Sequence, residues 1–455
     1  MRNEMDSTIL DNFFGSEEIR KLFDDHALMQ SWLDVEAALA RAQASLDIIP
    51  SEAASAITAA AHIEQYNLSA LAAAAKETAH PLVPLIQELA VKAGKPADRY
   101  VHLGSTTQDV MDTGFVLLAR QGLDVIDRQM GELTEILRGL AIRYKTTPMA
   151  ARTHGQHALP TTFGLRAAGW YDEMQRHQNR SQEMRTRLLV GSFGAAAGTL
   201  AGYGPKALKL RHAMMGELDL GEPETSWHAN QDRFSECLSL FGMIASSGEK
   251  LAREVYFLGR PEIGEAFESQ GVDQVCSSTM PQKQNPIRSE AVMAAAQTLR
   301  AQVPLAQAAM VAQDDRDMGA GMTLWKLLPE AFILLGGILE RLIDVIGDWR
   351  IDSDAMARNL KLSGGLILSE AVMLQLSDQI GRTEAHHAVT EAVRRTMETG
   401  QSIKECLAEH EAISERLTET ELAALLDPEN YLGAAAEIVD RVTLNKDRNK
   451  IEERE

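Results

Sequence analysis

The stretch Cys276-Ser277-Ser278-Thr279-Met280-Pro281-Gln282-Lys283-Gln284-Asn285-Pro286-Ile287 decides how this chain is read. Pro281 and Pro286 exclude a regular helix, and each pushes the residue before it toward extended geometry. On either side the sequence is rich in Ala and Leu and reads as helix. A polar loop with two adjacent hydroxyls, an ammonium and a carboxamide therefore interrupts a helical framework. Chemistry concentrates in loops carried on rigid scaffolds. On composition alone, a plain Ser/Pro linker between helices remains the alternative.

Working outward, the chain has 455 residues, enough for two or three domains and a large core. Its formal charge of −20 argues against nucleic acid as a partner, and it requires any dicarboxylate site to be locally cationic. Three cysteines, Cys237, Cys276 and Cys406, show no metal-ligand spacing. They fit a reducing compartment without a disulfide framework, so a cytoplasmic location is expected. The first residues, Met1-Arg2-Asn3-Glu4-Met5-Asp6, lack the apolar segment of a signal peptide. No run approaches the roughly 20 apolar residues that span a bilayer, so no membrane role is expected. No cofactor and no metal are expected either: there is no ligand cluster and no phosphate-cradling Gly loop.

The apolar spacing predicts an all-α chain. Helices are expected over 51–75, 110–145, 161–190, 230–258, 287–312 and 325–346, with a Gly-rich loop over 191–204. Helices of 30 residues reach about 45 Å and suit a bundle. The division expected is an N-terminal helical domain over 1–104, a central long-helix bundle over 105–350 and a small helical C-terminal domain over 351–455. Three polar loops stand between the long helices, at 105–109, 152–157 and 276–286. Helix ends separated by such rods do not easily meet within one chain, but they can meet between chains.

The loop resembles the signature loop of the fumarase/aspartase superfamily, G-S-S-x-M-P-x-K-x-N; only the leading Gly departs, replaced by Cys276. The resemblance implies a three-domain all-α fold, a homotetramer with sites shared between subunits, and a small di- or tricarboxylate substrate. It also implies roles. Ser277 stands where the family has its catalytic base, which takes a proton alpha to a carboxylate. A serine does this only when nearby positive charge, oriented donors or desolvation activate it. Lys283 and Asn285 would hold the resulting aci-carboxylate. Ser278 reads as a substrate contact or, more simply, as a capping hydroxyl.

Thr153-His154-Gly155-Gln156 resembles the T-H-G-Q region of the adenylosuccinate lyase branch, which implies His154 as the proton donor to the leaving group and Gln156 as a substrate contact. Glu77-Thr78-Ala79-His80 resembles that branch's E-T-x-H, with His80 holding substrate. Thr106 and Thr107 match a T-S pair that binds a substrate carboxylate, and both equally suit N-capping. Arg233 resembles an arginine of Q-R-D-R that would grip a carboxylate; a surface salt bridge is the alternative.

Within the superfamily the chain resembles the branch of adenylosuccinate lyase and 3-carboxy-cis,cis-muconate cycloisomerase. Arg99-Tyr100-Val101-His102, His157-Ala158-Leu159-Pro160 and Leu324–Glu330 are closer to the cycloisomerase. Gln282 and Gln284 replace the His and Arg usual to both groups, removing one cation from the site. The implied reaction is elimination from a substituted succinate, breaking C–N or C–O and releasing fumarate or a relative. The alternatives are cycloisomerisation of a carboxymuconate, adenylosuccinate cleavage and a helical scaffold without catalysis.

Overall fold

The computed structural model describes residues 13–269, 279–280 and 282–452. The helices, in chain order, are α1 (Glu17–Leu22), α2 (Asp25–Ser45), α3 (Ser51–Ala60), α4 (Leu68–Thr78), α5 (Val83–Ala93), α6 (Thr107–Arg143), α7 (Phe163–Leu188), α8 (Ala207–Leu218), α9 (Asp232–Leu258), α10 (Ile287–Ala308), α11 (Met318–Gly347), α12 (Ser353–Leu360), α13 (Ser369–Ile380) and α14 (Arg382–Thr399). Shorter helices complete the C-terminal part before a last helix, Ala435–Glu452. The expected all-α framework is the framework observed.

Periodicity explains the long helices. In α6, 37 residues long, Leu123, Ile126, Met130, Leu133, Leu137 and Ala141 recur every three or four positions and are all completely buried. Between such stripes, α11 departs from expectation. Its most apolar 18-residue window has mean hydropathy 1.5, long and apolar enough on composition to cross a bilayer, yet 61% of that window is buried inside the protein. Its apolarity serves a core: Phe332 packs edge-on against Phe241 at 4.7 Å, and Phe23 lies 5.1 Å from the same ring. Gly337 lets the α1 approach come close, because a Cβ there would stand 2.1 Å from the Phe14 carbonyl.

The second correction concerns residues 148–162. The sequence suggests a break and a loop; the chain instead forms an antiparallel hairpin of β1 (Pro148–Thr153) and β2 (Gln156–Thr162). The register shifts between Ala150 and Arg152, leaving Thr153 paired with Gln156 around a two-residue turn. A second small pairing joins β3 (Ala266–Phe267) to β4 (Arg350–Ile351).

Contacts divide the chain into two units. One comprises Met1–Gly131, Arg176–Lys250 and Glu290–Leu342; the other comprises Glu132–Gln175, Leu251–Ser289 and Ile343–Glu455. The first is centred on the buried residues of α2, α3 and the start of α6, with Trp32, Leu33, Leu39 and Ile57 almost fully enclosed. In the second, Phe163 meets Tyr144, Trp170 and Trp349 at ring distances of 5.5, 6.1 and 5.5 Å.

Candidate active site

In the first unit, the segment before α6 is shaped by long-range hydrogen bonds. His102 adopts φ 57°, in the left-handed region, and its backbone N–H donates to Glu36 Oε2 at 3.1 Å while its ring Nδ1 lies 2.5 Å from Oε1. Glu36 is almost fully buried. The Leu103 carbonyl accepts from the Tyr203 hydroxyl at 2.6 Å and from Gln43 at 2.8 Å. Gly104 follows at φ 77°, where a Cβ would strike the Tyr203 ring.

Asp109 anchors the next residues. Its carboxylate, completely buried, accepts from Gly194 N (2.7 Å), Ala195 N (3.0 Å), Thr106 N (3.0 Å) and His228 Nε2 (2.8 Å). The cap at the start of α6 is thus made by Asp109 reaching back to Thr106 N, and the Thr106 hydroxyl is not used for capping. It accepts instead from Arg316 Nη1. The Thr107 hydroxyl lies 3.2 Å from His80 Nε2. Val83 N–H donates to His80 Nδ1 at 3.3 Å, which in the neutral ring leaves the proton on Nε2 and makes His80 the donor to Thr107. Ala79, at φ 50°, ends α4 and turns the chain into His80.

Beneath this set Asp112, also buried, accepts from Gln108 at 2.9 Å. Burial pushes its carboxyl up to about 7, against the pull of Gln108 and His228; the Asp109 charge adds to the rise.

Arg316 was not singled out in the sequence, where it sits among Asp314, Asp315 and Asp317 as one cation in an acidic run. Asp317 caps the start of α11, accepting from Ala320 N at 3.3 Å, Gln313 N at 3.3 Å and Gly319 N at 3.0 Å, and these backbone donors hold its carboxyl below the usual range. Arg233 lies 4.4 Å over the Trp227 ring and donates to the Arg187 carbonyl at 3.4 Å; burial lowers its pKa.

In the second unit, the hairpin turn consists of His154 (φ 51°) and Gly155 (φ 74°), flanked by Thr153 and Gln156, all four exposed. Two positive φ values in succession are the geometry of the tight turn that matches strand twist. His157 pairs across the ladder with Arg152, and burial followed by the Arg152 charge lowers its pKa. Of the signature loop, Cys276, Ser277 and Ser278 lie outside the described residues. Lys283 is exposed, its N–H donating to the Met280 carbonyl at 3.0 Å, and Asn285 is half-buried just before α10. The loop's two flanks meet at Glu268, whose carboxylate accepts from Arg288 N at 3.1 Å and from Ser289 N and Oγ at 3.0 and 2.7 Å.

The family model described as Lyase matches residues 15–300, and that described as Adenylosuccinate lyase C-terminus matches 365–442. A 3-carboxy-cis,cis-muconate cycloisomerase of Pseudomonas aeruginosa is 41% identical, covering 95% of this chain and 95% of that protein. An adenylosuccinate lyase of Pyrococcus abyssi is 37% identical over 98% of each. The crystal structure of the 3-carboxy-cis,cis-muconate lactonizing enzyme from Pseudomonas putida superposes with TM-score 0.91 at 37% identity, covering 97% of this chain and 99% of that one.

The chain belongs to the fumarase/aspartase superfamily. It is an enzyme of the lyase and cycloisomerase kind found there.

Within this superfamily member, His80, Thr106 and Thr107 are brought together, and Arg316 joins them. His154 and Gln156 share one turn. Arg233 is committed to Trp227 and a backbone carbonyl. Two histidines not singled out as site residues are held by buried carboxylates: His102 rests on Glu36, and His228 on Asp109. Their partners lie 66 and 119 positions away, so no local pattern could have disclosed them.

Proposed function

We propose that this enzyme catalyses anti β-elimination on a substituted succinate, releasing fumarate or a fumarate-like product. In this reading Ser277 takes the proton alpha to one carboxylate, and the C–H electron pair moves into an aci-carboxylate held by Lys283 and Asn285. The pair returns to form the C=C bond as the β substituent departs with its bonding electrons. His154 supplies that nitrogen or oxygen with a proton, so the net change is substrate to unsaturated acid plus H–X. The observation that carries the reading is the Thr106 hydroxyl: released from capping by Asp109, it pairs with the Arg316 guanidinium beside Thr107 and His80. Hydroxyls, a guanidinium and an N–H at a helix start suit a substrate carboxylate.

Three-domain organisation and a homotetramer belong to the same reading, with Ser277, His154 and the Thr106–Thr107 set supplied to each site by different copies. A cytoplasmic setting suits the free thiols of buried Cys237 and Cys406.

Cycloisomerisation of a carboxymuconate is the second reading, favoured by the 41% identity to a protein of that name. It runs the same proton chemistry as ring closure or opening. Incubation with N-substituted aspartates, adenylosuccinate and 3-carboxy-cis,cis-muconate, followed by fumarate or muconate absorbance, separates the two. Ser277→Ala is expected to lower kcat by several orders of magnitude in an intact protein; full activity in that variant removes Ser277 as the base.

A further inference from the structure

Beneath the hairpin lies a charged pair with no evident need to be charged. The Arg152 side chain is 9% exposed and that of Glu265 is fully enclosed, and they meet in two parallel bonds of 2.8 and 2.5 Å. Asn359 donates to the same Glu265 carboxylate at 2.7 Å and to the Ile263 carbonyl at 2.8 Å. The Glu265 backbone is pinned as well: its N–H donates to the Leu258 carbonyl, and its own carbonyl accepts from Asp352 N. The carboxylate is therefore held in place by α12 and by the segment after α9, and it grips β1 two residues before His154.

An ion pair buried this way contributes little to stability over an apolar pair of the same size, because desolvation offsets the attraction. What a guanidinium forked on a carboxylate supplies is direction. The hairpin needs it. Its root is packed, with Ala150 in one buried cluster with Leu360, Ile367 and Leu368, but the turn residues His154 and Gly155 beyond it are exposed. The register shift between Ala150 and Arg152 sets where the turn points, and Arg152 is the first paired residue beyond it.

We propose that Arg152, Glu265 and Asn359 form a positioning set that aims the His154 imidazole at the leaving group. The proposal rests on the reading of His154 as proton donor. None of the three touches substrate in this scheme; they act through the hairpin.

The test compares Glu265→Gln, Arg152→Lys and the double variant R152M/E265L, with 3-carboxy-cis,cis-muconate and N-substituted aspartates as probes. The double variant removes both buried charges together, so no charge is left unpaired. We expect it to keep wild-type circular dichroism, to lose at least tenfold in kcat with KM within threefold, and to lose less on substrates with more acidic leaving groups. A merely structural role would not produce that leaving-group dependence. Unchanged kcat, a rise in KM alone, or failure of the double variant to fold each overturns the proposal. His154→Asn serves as the control: if it is inactive while R152M/E265L is fully active, only the positioning set falls. If His154→Asn is itself fully active, the proton-donor reading falls.

Discussion

Thr107, the first residue of α6, takes a hydrogen bond from His80 across 27 positions of sequence, at 3.2 Å. His80 is fixed for this by Val83 N–H on its other nitrogen. Without the imidazole, the Thr107 hydroxyl loses the donor that orients it. His80→Ala is therefore expected to raise KM about fivefold, the worth of one neutral hydrogen bond near 1 kcal/mol, with a smaller effect on kcat. Steady-state kinetics on whichever probe turns over reads the split; a fall in kcat alone contradicts it.

Arg316 makes a sharper prediction, because it brings a full positive charge to the Thr106 hydroxyl. A charge-assisted contact to a carboxylate contributes about 1.5–3 kcal/mol. Arg316→Gln should then raise KM by roughly 10- to 100-fold. Arg316→Lys should recover only part of it, since an ammonium cannot reach Thr106 and a carboxylate with the same fork. Equal KM values for the three proteins would remove Arg316 from the site.

Asp112 predicts a pH dependence of stability. Its carboxyl is raised from 3.8 to about 7, so the folded protein binds this proton more tightly than the unfolded chain. The resulting stability is fully present below pH 4 and is lost as pH rises through about 7. At about 1.4 kcal/mol per pH unit the loss is on the order of 4 kcal/mol. Asp112→Asn keeps an oxygen for Gln108 and cannot ionise. Denaturant unfolding at pH 5 and pH 8 should show the variant losing less stability than the wild type between the two; parallel losses contradict the assignment.

How much of this was legible depends on the range of the interactions. The α6 stripe from Leu123 to Ala141 is a local pattern, and the helix expected over 110–145 is the one observed over Thr107–Arg143. The hairpin is not local in that sense. Pro148 and Pro160 read as breakers, and β1 does not alternate, because Met149 and Ala150 are buried in succession. Thr106 was legible as a residue and illegible as a contact: sequence offers a cap, and only the fold brings Asp109 back to Thr106 N and Arg316 forward from 210 positions away. Arg316 itself was hidden by its three acidic neighbours. The apolar run of α11 reads as a bundle helix over 325–346, and its burial against Phe23 and Phe241 accounts for its composition.

His154 allows the cleanest separation of backbone from chemistry. Its φ of 51° lies where most residues are strained but Asn is tolerated. His154→Asn should therefore keep the hairpin, whereas His154→Ala loses the ring and strains the turn by about 1 kcal/mol. If the imidazole gives a proton to the leaving group, both variants lose about 10²- to 10⁴-fold in kcat, and the two deficits are alike. If the turn geometry were what mattered, Asn would be active and Ala would not. Added imidazole distinguishes the cases further. It should restore part of the rate to both variants, because the exposed turn leaves room where the ring stood, and it should do nothing for Gly155→Ala, which keeps the ring and alters only the backbone at φ 74°. Rescue confined to the Asn variant, or absent from both, would move the proton donor elsewhere in the site.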